Sequence, residues 1–376
     1  MKVKKIIRFL LIIIFIFIIG GVSSVIVDRY IFPKLSATKF FSKFKFFQKA
    51  NENVTIIEKT EQITVKEDDS VNEIASQAAT AVVNIVSISD TGNQSGNGTG
   101  VIATSDGLII TYRDAVIKEE AKYKVLIFNG SSYDAELLGI DEFSGLAFLK
   151  INISNLPVMP FSNSSDSRPG KKLIAIGNSF GEYQNRFAAG LLSNINKTFN
   201  LSGKTLSSSE KLEGVFETDF NSQESYLGGP MIDYNGELIG IIGTVTIDNK
   251  QKYFQIPSNI VKKTMEAAIE GSLKERPYLG IYYVPITKAY AIANDLERDK
   301  GALIYSASGK QGLAIISGSP ASKAGLKLND VIIAIGEREI NLDNPLSNIL
   351  SEYKKGDEIE LTVIRNGEGM SLKVQL

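Results

Sequence analysis

The 376-residue chain is expected to be mostly β, in more than one domain, behind an N-terminal transmembrane helix. Three observations predict this. From Ala81 onward, short runs rich in Val, Ile, Leu and Thr recur between clusters of Gly, Asn, Asp and Ser, the pattern of a barrel or sandwich. The length suits two or three domains with appendages. Near the start, Phe9 to Val27 (FLLIIIFIFIIGGVSSVIV) carries no charge over about the length that crosses a hydrocarbon core as a helix.

Composition narrows the chemistry. Net charge is −1, which gives no sign of a nucleic-acid partner. There is no cysteine, so disulfides, thiolate nucleophiles and Cys-ligated metals are excluded. There is also no histidine, which removes the usual general base near neutral pH and the commonest metal ligand. No metal or other cofactor is expected.

Residues 1–28 read as a basic cytoplasmic tail (Lys2, Lys4, Lys5, Arg8) and the membrane helix, the span itself being residues 9–27. The cluster before the span keeps the N-terminus inside and places the main body outside the membrane. The rival is a cleaved signal peptide; the run is long for one and no clear cleavage site follows. Residues 29–69 read as a linker. Its Phe40–Ala50 part interleaves Phe and Lys, either lying on the membrane surface or against a sister subunit, or serving as a plain spacer.

Ser70-Val71-Asn72-Glu73 has capping-box spacing and starts a helix to about Ala79. Strands are predicted at Val82–Ser89, Gly100–Thr104, Leu108–Tyr112, Lys124–Phe128, Ala135–Ile140 and Leu146–Ile151. More follow at Lys171–Gly177, Arg186–Ile195, Gly214–Thr218, Met231–Ile242 and Tyr253–Ile256, with an Asn-Gly turn at Asn235-Gly236. Ser258 is expected to cap a helix over Asn259–Glu270 whose Ile260, Val261, Met265 and Ile269 approximate one apolar face. Arg276-Pro277 marks a boundary.

Phe216 to Gly243, with its Gly228-Gly229-Pro230 corner, resembles the active-site loop of trypsin-like serine proteases of the HtrA/DegP type, roughly T-D-A-x-I-N-x-G-N-S-G-G-P-L. Thr218-Asp219 and Gly236-Glu237-Leu238-Ile239-Gly240 belong to the same match. The resemblance runs over residues 70–271, including Thr99-Gly100-Val101-Ile102 and Phe254-Gln255-Ile256-Pro257-Ser258. It implies two β-barrels with a cleft between them. Residues 277–376 resemble a bacterial PDZ domain, through Tyr278-Leu279-Gly280-Ile281, Gly318-Ser319-Pro320-Ala321 to Leu326, and Asp330-Val331-Ile332. Asn329 stands where that pattern has Gly.

The same resemblance assigns the catalytic positions. The family's histidine segment matches Gly107 to Val116, with Asp114 at the His position. Its aspartate segment matches Asp141 to Ile151, with Gly145 at the Asp position. Leu227 stands at the nucleophile. Ser225 replaces the glycine that shapes the oxyanion loop, and Tyr226 follows it. A carboxylate of ordinary pKa is a poor base for a replacement Ser225–Asp114 pair, and the only lysine close to a matching catalytic position is Lys118, four residues past Asp114. Ser225, Tyr226 and Leu227 are expected to collapse the loop and pack the cleft shut.

The reading is therefore a membrane-anchored HtrA-like pseudoprotease that binds polypeptides or C-terminal peptides through its PDZ domain, with a role in protein quality control. The rivals are an active serine endopeptidase with a relocated nucleophile and a structural subunit of a mixed oligomer. The family resemblance implies a homo- or hetero-trimer. For peptide binding, Tyr278, Leu279, Gly280 and Ile281 form the carboxylate loop and Ile281–Val284 the pairing strand. A helix over Pro345–Tyr353 presents Leu346, Ile349 and Leu350 to the groove. Tyr282 and Tyr283 are either groove residues or strand packing.

Overall fold

In the computed structural model the described residues are 71–89, 95–116, 121–178, 185–221 and 223–376, with Gly20, Gly21, Ser23, Val27 and Ile31 before them. Compact units are Met1–Glu73 and Ile74–Leu376. The predicted span 9–27, apart from those few positions, and Phe40–Ala50, Ser70 and Lys118 lie outside the described residues. Among the described residues no helix is long and apolar enough to cross a membrane.

A helix over residues 71–79, α1, leads into the first barrel. Its strands are β1 (Val82–Ser89), β2 (Ser95–Ile102), β3 (Leu108–Tyr112), β4 (Ala121–Leu126), β5 (Ser132–Ile140) and β6 (Leu146–Ile151). They close in the order β1-β2-β3-β6-β5-β4. Residues on β5 alternate between exposed and half-buried, as on a strand with one face in water. Every residue of β3 is buried, and all of β6 but one. A strand covered on both faces has no polar side to show, so its sequence reads as a continuous apolar run.

The second barrel comprises β7 (Lys172–Asn178), β8 (Asn185–Asn200), β10 (Glu213–Thr218), β11 (Pro230–Asp233), β12 (Leu238–Ile247) and β13 (Lys250–Pro257). It closes in the order β10-β13-β12-β11-β7-β8 around Leu173, Leu192, Phe216, Met231, Ile239 and Ile242. Between β8 and β10 the chain leaves the barrel to form a two-residue strand, β9 (Ser207–Ser208). Met231–Ile242 is two strands, folded at a turn where the Asp233 carboxylate accepts the N–H groups of Asn235 and Glu237.

Helix α2 (Ser258–Ile269) follows and corrects the cap assignment. Pro257 holds the N-cap position, and the Ser258 hydroxyl donates to the Ser162 carbonyl at 2.7 Å. Of the four residues expected on the apolar face only Val261 is buried, and Ile269 is largely exposed. The buried stripe is Ser258, Val261, Thr264 and Ala268, small side chains that let the helix lie close on the strands.

The C-terminal domain has β14 (Tyr282–Pro285), α3 (Lys288–Ala293), β15 (Ala302–Ile304), α4 (Gln311–Ala314), α5 (Pro320–Lys323), β16 (Val331–Ile335), β17 (Arg338–Glu339), α6 (Leu346–Leu350), β18 (Glu358–Arg365) and β19 (Glu368–Gln375). Its sheet runs β19-β18-β16-β15-β14-β9, with β17 beside β16. The outermost strand is thus borrowed from the second-barrel part of the chain. Asn329 has φ +68°, the left-handed conformation that the glycine of the sequence pattern would adopt without strain and that Asn tolerates.

Candidate functional site

The barrels meet along β2 and β3 on one side and the 223–229 loop with β7 and β12 on the other. The Thr99 N–H donates to the Leu227 carbonyl (3.3 Å) and the Thr111 hydroxyl to the Thr99 carbonyl (2.6 Å). The Arg113 N–H donates to the Gly145 carbonyl at 2.8 Å, which brings the turn bearing Asp114 to the turn bearing Gly145. Asp114 is exposed on a 3₁₀ turn, Arg113–Ala115, whose Ala115 abuts Gly98 of β2. Asp114, Gly145 and Leu227 therefore converge on one seam.

Beside Leu227 lies a cavity of about 450 Å³, with Asn97, Thr99, Asn178, Arg186, Ser225 and Leu227 among its lining residues; Asp114 and Gly145 are not among them. Two features shape it. Its floor is small and polar: the Asn97 amide donates to Asn84 (2.8 Å), that of Asn84 to Asn178 (3.2 Å), and the Asn178 N–H to the Thr99 hydroxyl (2.9 Å). Tyr226, expected to fill the space, turns inward and joins the second-barrel core.

The loop itself is a 3₁₀ turn, Gln223–Tyr226. The Leu227 N–H points back to the Glu224 carbonyl at 3.5 Å, a long bond that directs this donor into the loop. Behind it, Tyr112 passes from β3 into the second barrel. Its hydroxyl donates to the Thr244 carbonyl (2.9 Å) and its ring meets Phe254 edge-on at 5.9 Å. Burial raises its pKa above the ordinary phenol value. Gly145, at φ +79°, lies against this ring: a Cβ there would be 2.8 Å from the ring carbon Cε2 and 2.9 Å from the hydroxyl oxygen. Among the described residues no three Asp or Glu side chains gather to hold a metal ion.

The second site is the loop Tyr278–Ile281 with β14. Gly280 has φ +83°, and a Cβ at that position would collide with Ser319, so the loop needs glycine to keep its N–H groups pointing outward. Leu279 and Ile281 are buried in the domain core, while Tyr278 is 39% exposed. Of the expected groove residues of α6, Leu346, Ile349 and Leu350 are all buried in that core, and Leu350 also lines the cavity beside Tyr278, about 210 Å³ in volume. The helix is shorter than its apolar pattern suggested, Leu346–Leu350. Of the two tyrosines, Tyr282 is half-buried and Tyr283 is packed in the core, with its hydroxyl donating to the buried Glu213 carboxylate. Glu213 also accepts from the Ser207 hydroxyl at 3.1 Å, and burial pushes its pKa up to about 7 against the lowering effect of these bonds.

Residues 98–241 match the trypsin-like peptidase domain, and residues 277–376 the PDZ domain. Over 295 residues the chain is 32% identical to the serine protease Do-like HtrA of Bacillus subtilis, covering 75% of this chain and 64% of the relative. Over 281 residues it is 31% identical to a probable periplasmic serine endoprotease, DegP-like, of Chlamydia muridarum, covering 74% of this chain and 53% of the relative. The chain belongs to the HtrA family. It spans about half the length of the first of its Chlamydia relatives. Among solved HtrA structures, the HtrA-type protease AlgW with tripeptide aligns with a TM-score of 0.66 at 26% identity, covering 81% of this chain and 96% of that one.

Two features of this HtrA chain escaped the sequence reading. One is Tyr112, a large aromatic side chain two residues before Asp114 whose bulk was a visible signal. The other is a buried pair that ties the first barrel to the interdomain linker. Asp141 is wholly buried and receives Arg276 through both oxygens, at 2.9 and 3.0 Å, while the guanidinium lies 5.1 Å from the Phe143 ring centre. The pair is separated by 135 positions, so no local pattern announces it.

Proposed function

We propose that this HtrA-family chain is a membrane-anchored pseudoprotease that binds polypeptides by their C-termini through its PDZ domain and does not cleave them. The anchor is the uncharged run 9–27, with the N-terminus cytoplasmic and the domains outside. Its relatives are named as serine proteases. The observation that sets this chain apart is the complete absence of histidine, together with leucine directly before Gly228-Gly229-Pro230. Acyl transfer by a triad needs a nucleophile, a base to take its proton and donors for the oxyanion. Leu227 supplies no hydroxyl, Asp114 no imidazole and Gly145 no orienting carboxylate. The inward-turned Leu227 N–H supports the same reading, since an oxyanion hole needs donors aimed into the cleft.

Peptide binding is supported by the glycine-dependent loop Tyr278–Ile281, by strand β14 beside it, whose outer side takes up an added strand, and by the peptides in the solved AlgW structures. The test is incubation of the whole chain with an unfolded casein-like substrate and labelling with a fluorophosphonate. The expected result is neither cleavage nor label. Cleavage that Ser225→Ala abolishes would overturn the reading and place a nucleophile at Ser225.

A further inference from the structure

The groove that a peptide would enter already holds a segment of this chain. Strand β9 runs antiparallel to β14, with Ser207 opposite Tyr283 and Ser208 opposite Tyr282. One residue on, the Ser209 N–H donates to the Ile281 carbonyl and the Ile281 N–H to the Ser209 hydroxyl oxygen, both at 3.1 Å. Then the Glu210 carboxylate accepts the N–H groups of Leu279 (3.1 Å) and Gly280 (2.8 Å) through one oxygen. The hydroxyls of Ser209 (2.6 Å) and Ser208 (3.0 Å) hold the carboxylate in place.

This is the geometry of strand addition with carboxylate capture. The segment approaches the loop with its C-terminal end, pairs with the β14 side of the sheet, and sets a carboxylate on backbone N–H groups. It differs from a peptide terminus in one respect: the carboxylate is a side chain, and the main chain continues to Lys211. We infer that Ser207–Glu210 is an internal ligand of the PDZ domain, and that a partner with a free C-terminal carboxylate binds by displacing it. The inference rests on the peptide-binding reading above and adds a competitor to it.

The structure also says which partner wins. Glu210 brings a carboxylate to the loop but no apolar side chain to the adjoining cavity of about 210 Å³, whose walls include Phe143, Tyr278 and Leu350. A C-terminal Leu or Phe carries carboxylate and apolar side chain on one carbon and supplies both. The internal segment has the advantage of attachment, an effective concentration on the order of millimolar. It therefore weakens an outside peptide by the fraction of molecules in which the groove is free.

The test uses the whole chain and a labelled hexapeptide ending in leucine, in free-acid and amidated forms. Glu210→Ala removes two charge-assisted bonds from the competitor, so the free acid should bind about tenfold to a hundredfold tighter than to the unaltered chain. Glu210→Gln, which keeps an acceptor but no charge, should fall between. Excess peptide should speed amide exchange at Ser209 in the unaltered chain, because its N–H loses the Ile281 carbonyl. Equal affinity in all three chains, or peptide binding with Ser209 still protected, would overturn the internal ligand while peptide binding stands. If none of the three binds the free acid, the peptide-binding reading itself fails, and the internal ligand with it.

Discussion

Glu213→Gln should make the protein more stable at pH 8 and change it little at pH 5. Glu213 is wholly buried, and its carboxyl is pushed from 4.5 up to about 7 because burial penalises the charged form. Its folded-state pKa is raised, so the contribution to stability is full below about pH 4.5 and is lost as pH rises through about 7. At one pH unit per 1.4 kcal/mol, ionising it in place costs about 3 kcal/mol. Glutamine escapes that cost and keeps both bonds: its carbonyl accepts from Tyr283, and its amide donates to the Ser207 hydroxyl. For a body of this size the difference corresponds to about 5 °C or more in melting temperature at pH 8. Circular dichroism melts of the two chains at pH 5, 6, 7 and 8 measure it. Curves that stay parallel across the range, or a glutamine variant less stable at pH 8, would refute the buried-carboxyl argument.

Two further outcomes are expected. The triple change Asp114→His, Gly145→Asp, Leu227→Ser should leave the chain unlabelled by fluorophosphonate, because a carboxylate at position 145 meets the Tyr112 ring and strains a left-handed backbone; strong labelling would show that the Tyr112 side chain yields easily. Arg276→Ala should cost about 3 kcal/mol or more by leaving Asp141 buried and uncompensated, read as a lower melting temperature, whereas an unchanged melt would mean that water reaches the carboxylate.

Much of this architecture could be read from the sequence because it is written in local patterns. β3 and β6 stand out as LIITY and LAFLKI since a strand covered on both faces has no polar side, and their bounds match expectation. The turn at Asp233–Gly236 and the left-handed Asn329 are equally local. Failures came where a side chain had more than one apolar place to go. Tyr226 looked like a plug for the cleft and entered the barrel core. Strand β9 was invisible for another reason: Ser-Ser-Ser-Glu has no strand character of its own, and its partner edge lies some seventy positions downstream.

The Arg276–Asp141 pair bears on where this chain can be divided. Covalently, the PDZ domain begins at Pro277, where the sequence match begins. The folded seam lies elsewhere. Cutting before Pro277 leaves the arginine that neutralises the buried aspartate as the last residue of the first fragment, at a new chain end, and it parts Tyr283 from Glu213 and β14 from its edge partner. Each half would then expose surface formed for the other. A shuffled or transplanted PDZ domain from this protein would behave as a fragment, and a mutation in the 200–213 hairpin would be felt in both halves at once.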